Sequence, residues 1–339
     1  MKSRLWPKDN GIALVMVLWV LTLLSIVALE FSYAMRTEVA ICGNYKDEIK
    51  GYFMARAGVE RAILEITRST YAPLKVLESG ETKFEEAGIL KGESPEMESE
   101  TEIWKADSTP YEVSFRDGRY KVSIEDEGAK LNLNYATGDM LRQLLSNIEM
   151  PEVPSEDGNI IDIIADSILD WRDEDDLHRL NGAEDDYYNS LPEPYDCKDG
   201  PFDAVEELLL VRGITPEIYS ELARYVTIYG RGKINLNTAP KEVLKSIPGI
   251  DDVLAEVIVE QCKEKKFLTL EELRPLLGEG PYLTLRNYIT VSPLGFYTIK
   301  SIGQVEGSPI TPAVKAVVQL EGSRVNVVNW MDRWWEIGG

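Results

Sequence analysis

The stretch Asp9–Phe31, "DNGIALVMVLWVLTLLSIVALEF", decides how the rest of the chain is read. From Ile12 to Leu29 it carries no charged residue, and the short charged leader before it ends in Gly11. As a helix this segment spans about 27 Å at about 1.5 Å per residue, close to the hydrocarbon thickness of a bilayer. It is longer than the apolar core of an ordinary secretory signal. Lys2, Arg4 and Lys8 precede it, so the N-terminus is expected on the cytoplasmic side and the bulk of the chain beyond the membrane. Two plain readings follow. One is an uncut anchor. The other is a signal peptide, for which Ser32-Tyr33-Ala34 offers a small-x-small cleavage site.

The leader, the Gly11-Ile12 junction and the long apolar helix running into an amphipathic one also resemble a type IV prepilin. The resemblance implies cleavage by prepilin peptidase between Gly11 and Ile12, with methylation of the new N-terminus. Pilins carry Glu at the fifth mature position, where it pairs with the amino terminus of a neighbouring subunit. Here that position is Met16. A carboxylate in a membrane is costly without a partner. A subunit with no neighbour above it gains by being apolar there, so Met16 points to a tip subunit.

From about Glu30 to residue 68 the pattern is helical, with Tyr45, Ile49, Phe53, Val59, Ile63 and Ile66 at roughly helical spacing and no proline. Residues 78–102 are rich in Glu, Gly, Ser and Pro and read as a solvated loop. "YEVSF" (111–115) and "RYKVSI" (119–124) alternate around Asp117-Gly118 as a hairpin. "FYTIKSIGQV" (296–305), "AVKAVVQL" (313–320) and "RVNVVNW" (324–330) read as three more strands, and the stretch between the two groups is mainly helical. The expected class is α+β, a pilin fold in which a long N-terminal helix lies against an antiparallel sheet interrupted by a large, mainly α-helical domain. The expected division is a leader at 1–11, a membrane half-helix at 12–29, a periplasmic half-helix at 30–68, a sheet from 100–128 and 294–330, and the insertion at 129–293.

Within the insertion, "KLNLNYATGDML" from Lys130 returns as "KINLNTAPKEVL" from Lys233. The simplest reading is one strand-to-helix turn used twice, with Asn and Thr as caps. "SIPGIDDVLAEVIVEQC" and "LLLVRGITPEIYSELARYV" resemble helix-hairpin-helix motifs. In DNA-binding versions the turn presents amides to a phosphate, but here Asp251 and Asp252 stand in that place. The net charge of −22 opposes nucleic acid in the same way, so these segments read as packing modules and no nucleic acid is expected.

The acids are densest in "ILDWRDEDDLHRLNGAEDDYYNSLPEPYDCKDGPFD", where from Asp170 to Asp186 the acids Asp170, Asp173, Glu174, Asp175, Asp176, Glu184, Asp185 and Asp186 face only Arg172 and Arg179. Such a run is either a solvated loop or a site for a hard divalent cation, which calcium fills with six to eight oxygens. The spacing is not that of an EF-hand. Trp171, Tyr187, Tyr188 and Tyr195 are interleaved and favour a pinned loop. His178 is the single histidine and reads as a surface residue. No nucleophile elbow, Walker loop or dinucleotide fingerprint is present. The best enzymatic rival is a hydrolase using Glu184 and Asp185 as paired carboxylates, which requires them in a pocket. The chain is expected not to be an enzyme.

"ADSILDWRDEDD", "NGAEDDYYNSLPEPY" and "GPFDAVEELLLVRGIT", in that order, resemble general secretion pathway protein K, the large minor pseudopilins of type II secretion. The resemblance implies a pilin fold with a large α-domain at the tip of a short periplasmic pseudopilus. It implies a single-pass place in the bacterial inner membrane, with I-type and J-type minor pseudopilins and the prepilin peptidase as partners. It also implies calcium in the acidic region, carried over to Asp173, Asp175, Glu184, Asp185 and Asp186. Cys197 departs from the family's usual run at that loop. It is either bridged to Cys262 or a free thiol. Trp330, Trp334 and Trp335 either meet partner subunits or pack along the sheet. A minor pilin of a related type IV pilus system is the alternative function.

Overall fold

The computed structural model describes residues 10–71, 74–76, 82–84, 104–151, 159–322 and 324–332. The start of the leader, most of the loop at 78–102, and Trp334 and Trp335 lie outside the described residues. Helix α1, Asn10–Tyr71, runs unbroken from the apolar segment into the globular part. Its first half is exposed along its apolar side chains, from Ile12 to Leu29, and it is long and apolar enough to cross a membrane. A short antiparallel pair follows, β1 (Leu74–Val76) with β2 (Thr82–Phe84). Then come β3 (Tyr111–Phe115) and β4 (Gly118–Asp126), which meet at the tight turn the sequence marked.

The second half of α1 packs on the sheet through a narrow face. Ala55, Val59, Ala62 and Ile66 are buried there against Tyr120, Val122, Ile124, Ile299, Val314 and Ala316. This differs from the helical stripe suggested by the large side chains. Val59 and Ile66 are buried, but Tyr45, Ile49 and Phe53 are exposed. The physical reason lies at Gly51 and Gly303, where backbone meets backbone. A Cβ on Gly51 would come 2.8 Å from Pro312 Cδ, and one on Gly303 would come 2.7 Å from the Ala55 amide nitrogen. Small residues let the helix settle that closely, and the aromatic side chains are left on the outside.

After β4 the chain leaves the sheet and builds the insertion from two copies of one module. The first holds β5 (Leu131–Asn132), α2 (Gly138–Asn147), α3 (Ile160–Arg172), α4 (Asp185–Tyr188), α5 (Pro216–Leu222) and β6 (Val226–Thr227). The second holds β7 (Ile234–Asn235), α6 (Lys241–Lys245), α7 (Asp252–Glu264), α8 (Arg274–Leu277), α9 (Glu279–Leu285) and β8 (Ile289–Thr290). Each copy opens on its N-L-N strand and closes on a parallel partner, β5 with β6 and β7 with β8. The bonding matches atom for atom. Asn134 Nδ2 donates to Phe202 O at 3.0 Å and its Oδ1 accepts from Phe202 N at 2.8 Å. Asn237 does the same with Phe267, both at 2.8 Å. The repeat is therefore more than a shared turn. The two copies differ in much of their sequence, and the Lys, N-L-N, Ala and Leu positions of their opening segments are the same.

The Asp251-Asp252 turn is consistent with packing modules. Asp251 caps α7 by accepting from Leu254 N, and Asp252 pairs with Lys241 and Lys245.

The chain then returns to the sheet with β9 (Phe296–Val305), β10 (Ala313–Glu321) and β11 (Arg324–Asp332), giving the antiparallel order β11-β10-β9-β4-β3. Trp330, on β11, is half-buried beside α1, with the Arg56 guanidinium 5.9 Å from its ring centre. It packs at the edge between helix and sheet.

A buried polar seam fixes the insertion to the sheet. Glu127 accepts from Thr227 Oγ1 at 2.5 Å, Thr298 Oγ1 at 2.7 Å and Lys130 Nζ at 2.6 Å. Asp126 accepts from Gly128 N, Asn235 Nδ2 and Thr238 Oγ1. Buried charge of this kind is tolerated because each oxygen has its donor.

Candidate functional site

The two modules differ most after their third element. In the second, α7 ends at Glu264 and Phe267 follows almost at once. In the first, α3 ends at Arg172 and residues 173–201 intervene before the matching Phe202. The acidic stretch is thus an elaboration of one copy, added at a point where the other copy has only Lys265 and Lys266.

The helix that launches this loop is anchored first. The Arg172 guanidinium caps the N-L-N turn of its own module through the carbonyls of Leu133 and Ala136. In the second copy Cys262 Sγ takes the matching place on Leu236 O at 3.4 Å. The loop is then pinned by rings. Trp171 meets Tyr188 edge-on at 5.3 Å, Tyr188 stacks on Tyr195 at 5.3 Å, and Arg212 covers Tyr187 at 4.7 Å. Tyr195 Oη donates to Leu210 O. This is the pinning expected from aromatics between acids.

The acids fall into three groups. Asp166 and Asp170 are buried and neutralised by arginine: Asp166 by Arg142 at 2.5 Å, Asp170 by Arg179. Glu174, Asp175, Asp176 and Asp186 are exposed. Asp175 caps its own turn at Leu177 N, and Asp186 accepts from Tyr187 N. The third group turns inward. Asp173 gives Oδ2 to Arg179 at 2.6 Å and leaves Oδ1 buried without a partner. Glu184 is only 2% exposed, and neither of its oxygens has a hydrogen bond of ordinary geometry. Asp199, held in the left-handed region at φ 51°, has an unpartnered Oδ1. Asp185 lies beside them and accepts from Cys197 N at 2.7 Å.

Ligand atoms of Glu184, Cys197 and Asp199 lie within 4.8 Å of one another. Burial, reinforced by the charges of Asp170, Asp173 and Asp199 and only partly offset by the Cys197 thiol, pushes the Glu184 carboxyl up to about 7. Burial and then Glu184 push the Cys197 thiol upward, so it is protonated as it stands. Like charges without counter-charge raise one another in this way, and a bound cation reverses the effect.

Of the residues expected to hold a metal, Asp173 and Glu184 face inward with open oxygens, Asp185 is adjacent, and Asp175 and Asp186 sit at the surface. Asp199 was not among them. Its signal was the Lys198-Asp199-Gly200 turn, a place where Asp tolerates φ > 0. Cys197 and Cys262 are free thiols. His178 is exposed.

The donor set fits a hard cation. Four buried carboxylate oxygens without hydrogen bonds, one from Asp173, two from Glu184 and one from Asp199, are what calcium takes, and buried polar atoms otherwise find partners.

Comparisons with known proteins point one way. Residues 124–231 match the family model for type II secretion system protein K. Type II secretion system protein K of Aeromonas hydrophila is 25% identical over 300 residues, 79% of this chain and 82% of that protein. Its counterpart in Pectobacterium carotovorum subsp. carotovorum is 27% identical over 214 residues, 60% of this chain and 62% of that protein. The fold is similar to a chain in the crystal structure of the GspK-GspI-GspJ complex of the enterotoxigenic Escherichia coli type 2 secretion system. The TM-score is 0.52 at 20% identity, over 66% of this chain and 83% of that one. The resemblance read from the sequence is thereby borne out: residues 124–231 match the type II secretion system protein K family model, and the chain, with its pilin fold, is similar to the Aeromonas hydrophila protein over 79% of its length.

Proposed function

We propose that this chain is a minor pseudopilin of type II secretion that initiates or caps the pseudopilus at its tip. The observation that carries the reading is α1, one unbroken helix whose first half is exposed and apolar and whose second half is locked onto the sheet at Gly51 and Gly303. Such a helix enters the core of a fibre by its first half and displays the globular part outside. Met16 leaves the subunit without the carboxylate that would receive a neighbour's amino terminus, and the two-module insertion adds bulk that a shaft subunit lacks. Both suit an end position.

On this reading the prepilin peptidase cuts between Gly11 and Ile12. The chain sits once through the bacterial inner membrane with its globular part in the periplasm, and its role is assembly rather than catalysis. Its partners are I-type and J-type minor pseudopilins, the proteins joined to the K-type chain in the solved GspK-GspI-GspJ complex. Calcium would be held by Asp173, Glu184 and Asp199, with Asp185 beside them. It would supply the positive charge that keeps the loop folded, and it needs no part in any reaction.

The test is the intact mass and N-terminal peptide of the mature protein, from cells with and without prepilin peptidase. A methylated N-terminus at Ile12 that disappears without the peptidase is expected. A start at Met35, from an ordinary signal, or at Met1, from a plain anchor, would overturn the fibre reading. A minor pilin of a related type IV pilus shares the processing step. Co-purification with the I-type and J-type pseudopilins separates the two.

A further inference from the structure

We infer that the outer face of α7, formed by Val253, Glu256, Val257 and Glu260, is a docking surface for an extended, arginine-bearing segment of a partner protein. The surface belongs to the second module alone, so it stands or falls apart from the place of the chain in a fibre.

Helices α3 and α7 have the same length and the same place in their modules. Their register is fixed at three points. Arg172 and Cys262 lie on the carbonyls of Leu133 and Leu236. Arg142 pairs with Asp162 at 2.9 Å, and Lys245 pairs with Asp252 at 3.0 Å. Ala165 and Ile168 are buried in the core, and so are Ala255 and Ile258. The inner faces of the two helices are therefore equivalent, and the neighbouring faces are not. Ile163 is 5% exposed and Ser167 is fully buried, whereas Val253 and Val257, in the same places, are 71% and 41% exposed. Asp166 and Asp170 are buried, whereas Glu256 and Glu260 are exposed.

The chain itself covers the first of these faces. The Arg179 side chain pairs with Asp170, and Asn181 Nδ2 donates to Asp166 at 3.0 Å. Gly182 lies so close that a Cβ on it would overlap the Asp170 carboxylate. From the other side the turn at Gly213 closes in, where a Cβ would stand 3.0 Å from Ile164 and 3.3 Å from Ile163. The second module has no segment like 179–182, since only Lys265 and Lys266 separate α7 from Phe267. Its turn also stands off. Gly278 is as far past Phe267 as Gly213 is past Phe202 and shares its left-handed conformation, yet a Cβ on it would meet nothing within 4 Å.

Charge decides what fits the open face. Glu256 and Glu260 stand at the positions of Asp166 and Asp170, without the arginine that neutralises Asp170. Glu256 pairs with Lys241, and Glu260 pairs with Lys263 at 2.7 Å, both at the surface. Exposed pairs of this kind contribute little, so an incoming guanidinium can displace the lysine at Glu260 and gain a bidentate bond. Two valines one turn apart supply the apolar contact beside it. The net charge of −22 disfavours a second copy of this chain as the occupant, and the Glu-rich stretch at 78–102 is disfavoured in the same way.

The experiment uses the full chain in its own cells, with the photoreactive p-benzoylphenylalanine in place of Val253 or, separately, of Val257. After irradiation the joined peptides are identified by mass spectrometry. At both positions the joined peptide is expected to come from another protein and to hold an arginine within a few residues of the cross-link. Glu260→Arg is expected to lower the yield about tenfold or more, the effect of a wrong charge in a contact, and changing the captured arginine to glutamate should restore it. Glu260→Arg and Val253→Asp should leave the melting temperature of the purified chain in detergent unchanged, whereas Ile163→Asp, at the covered equivalent, should lower it sharply. A cross-link to this chain, within one copy or between two, would overturn the inference. So would a partner peptide without arginine, a yield indifferent to Glu260→Arg, no cross-link at either position, or a melting temperature that falls with the α7 variants.

Discussion

Gly303 lies directly against Gly51. A methyl group built on Gly303 would overlap the Gly51 carbonyl oxygen and stand 2.7 Å from the Ala55 amide nitrogen. The atoms it meets are backbone, so neither side has a rotamer to move. Gly303→Ala is expected to push α1 off β9 and destabilise the globular part by about 1–3 kcal/mol, the usual range for an overfilled contact. Gly43, on the same helix with nothing within 4 Å of its would-be Cβ, is the control. Gly43→Ala should be neutral or stabilising by up to about 1 kcal/mol. Thermal denaturation of both variants checks the contrast.

Asn134 and Asn237 each clamp the amide and carbonyl of one phenylalanine. Asn134→Ala strands the Phe202 groups, and Asn237→Ala strands those of Phe267 and one bond to Val291 O. Each loss is expected to cost about 1–3 kcal/mol for the buried groups left unpaired. Urea unfolding should give two penalties of similar size, with Asn237→Ala the larger.

Glu125 gives the fold an acid limit. Burial alone would raise its carboxyl, but Lys130 and Lys300, at 3.3 and 2.7 Å, outweigh that and hold it below 4.5. A carboxyl lowered by folding stabilises above its unfolded value and loses that contribution as pH falls through the folded one. Stability should therefore drop below about pH 4.5, and Glu125→Gln should flatten that limb. Melting temperature measured against pH for both proteins decides it.

Glu184 should respond to mutation with opposite signs depending on metal. Glu184→Gln removes a buried charge that has no hydrogen bond, so it is expected to raise the melting temperature in chelator. The same change should erase the gain from divalent cation, a gain of about 2.7 kcal/mol for the natural chain at a concentration of about 100 Kd. Scanning calorimetry with and without cation reads both arms.

On the proposed cleavage after Gly11, Met16→Glu places a carboxylate at the fifth mature position. An unpaired carboxylate within the membrane is costly, and a neighbour's amino terminus below the proposed tip would relieve it. Immunogold labelling should find the variant along overexpressed fibres rather than only at their ends. Unchanged assembly with the variant still confined to the tip would mean that Met16 does not place the subunit.

Much of the fold was legible because its signals are local. Alternation marks β3, β4 and the three closing strands within a residue or two of their observed ends, and turn chemistry marks Asp117-Gly118. The helix face of α1 was not, because a helix that approaches backbone to backbone buries glycine and alanine, which hydrophobic periodicity barely registers. The second module was half hidden for a related reason. Its identity rests on asparagine side chains bonding to distant carbonyls, and the 173–201 elaboration breaks the spacing between copies. The density of the acidic run and its interleaved aromatics suggested a cation. Density does not say which acids turn inward: Asp175 and Asp186 are as acidic as Asp199, and only the course of the loop separates them.

The pairing of Asp126 with Tyr297 brings the two ends of the insertion onto neighbouring residues of adjacent antiparallel strands. Topologically, β4 and β9 are still a hairpin, and residues 127–295 are its turn. Loop-closure entropy grows only slowly with length, so a turn can lengthen without disturbing the register beneath it. The inserted domain can therefore change in size and sequence while β4 and β9 stay paired, provided that the seam at Asp126 and Glu127 finds its donors.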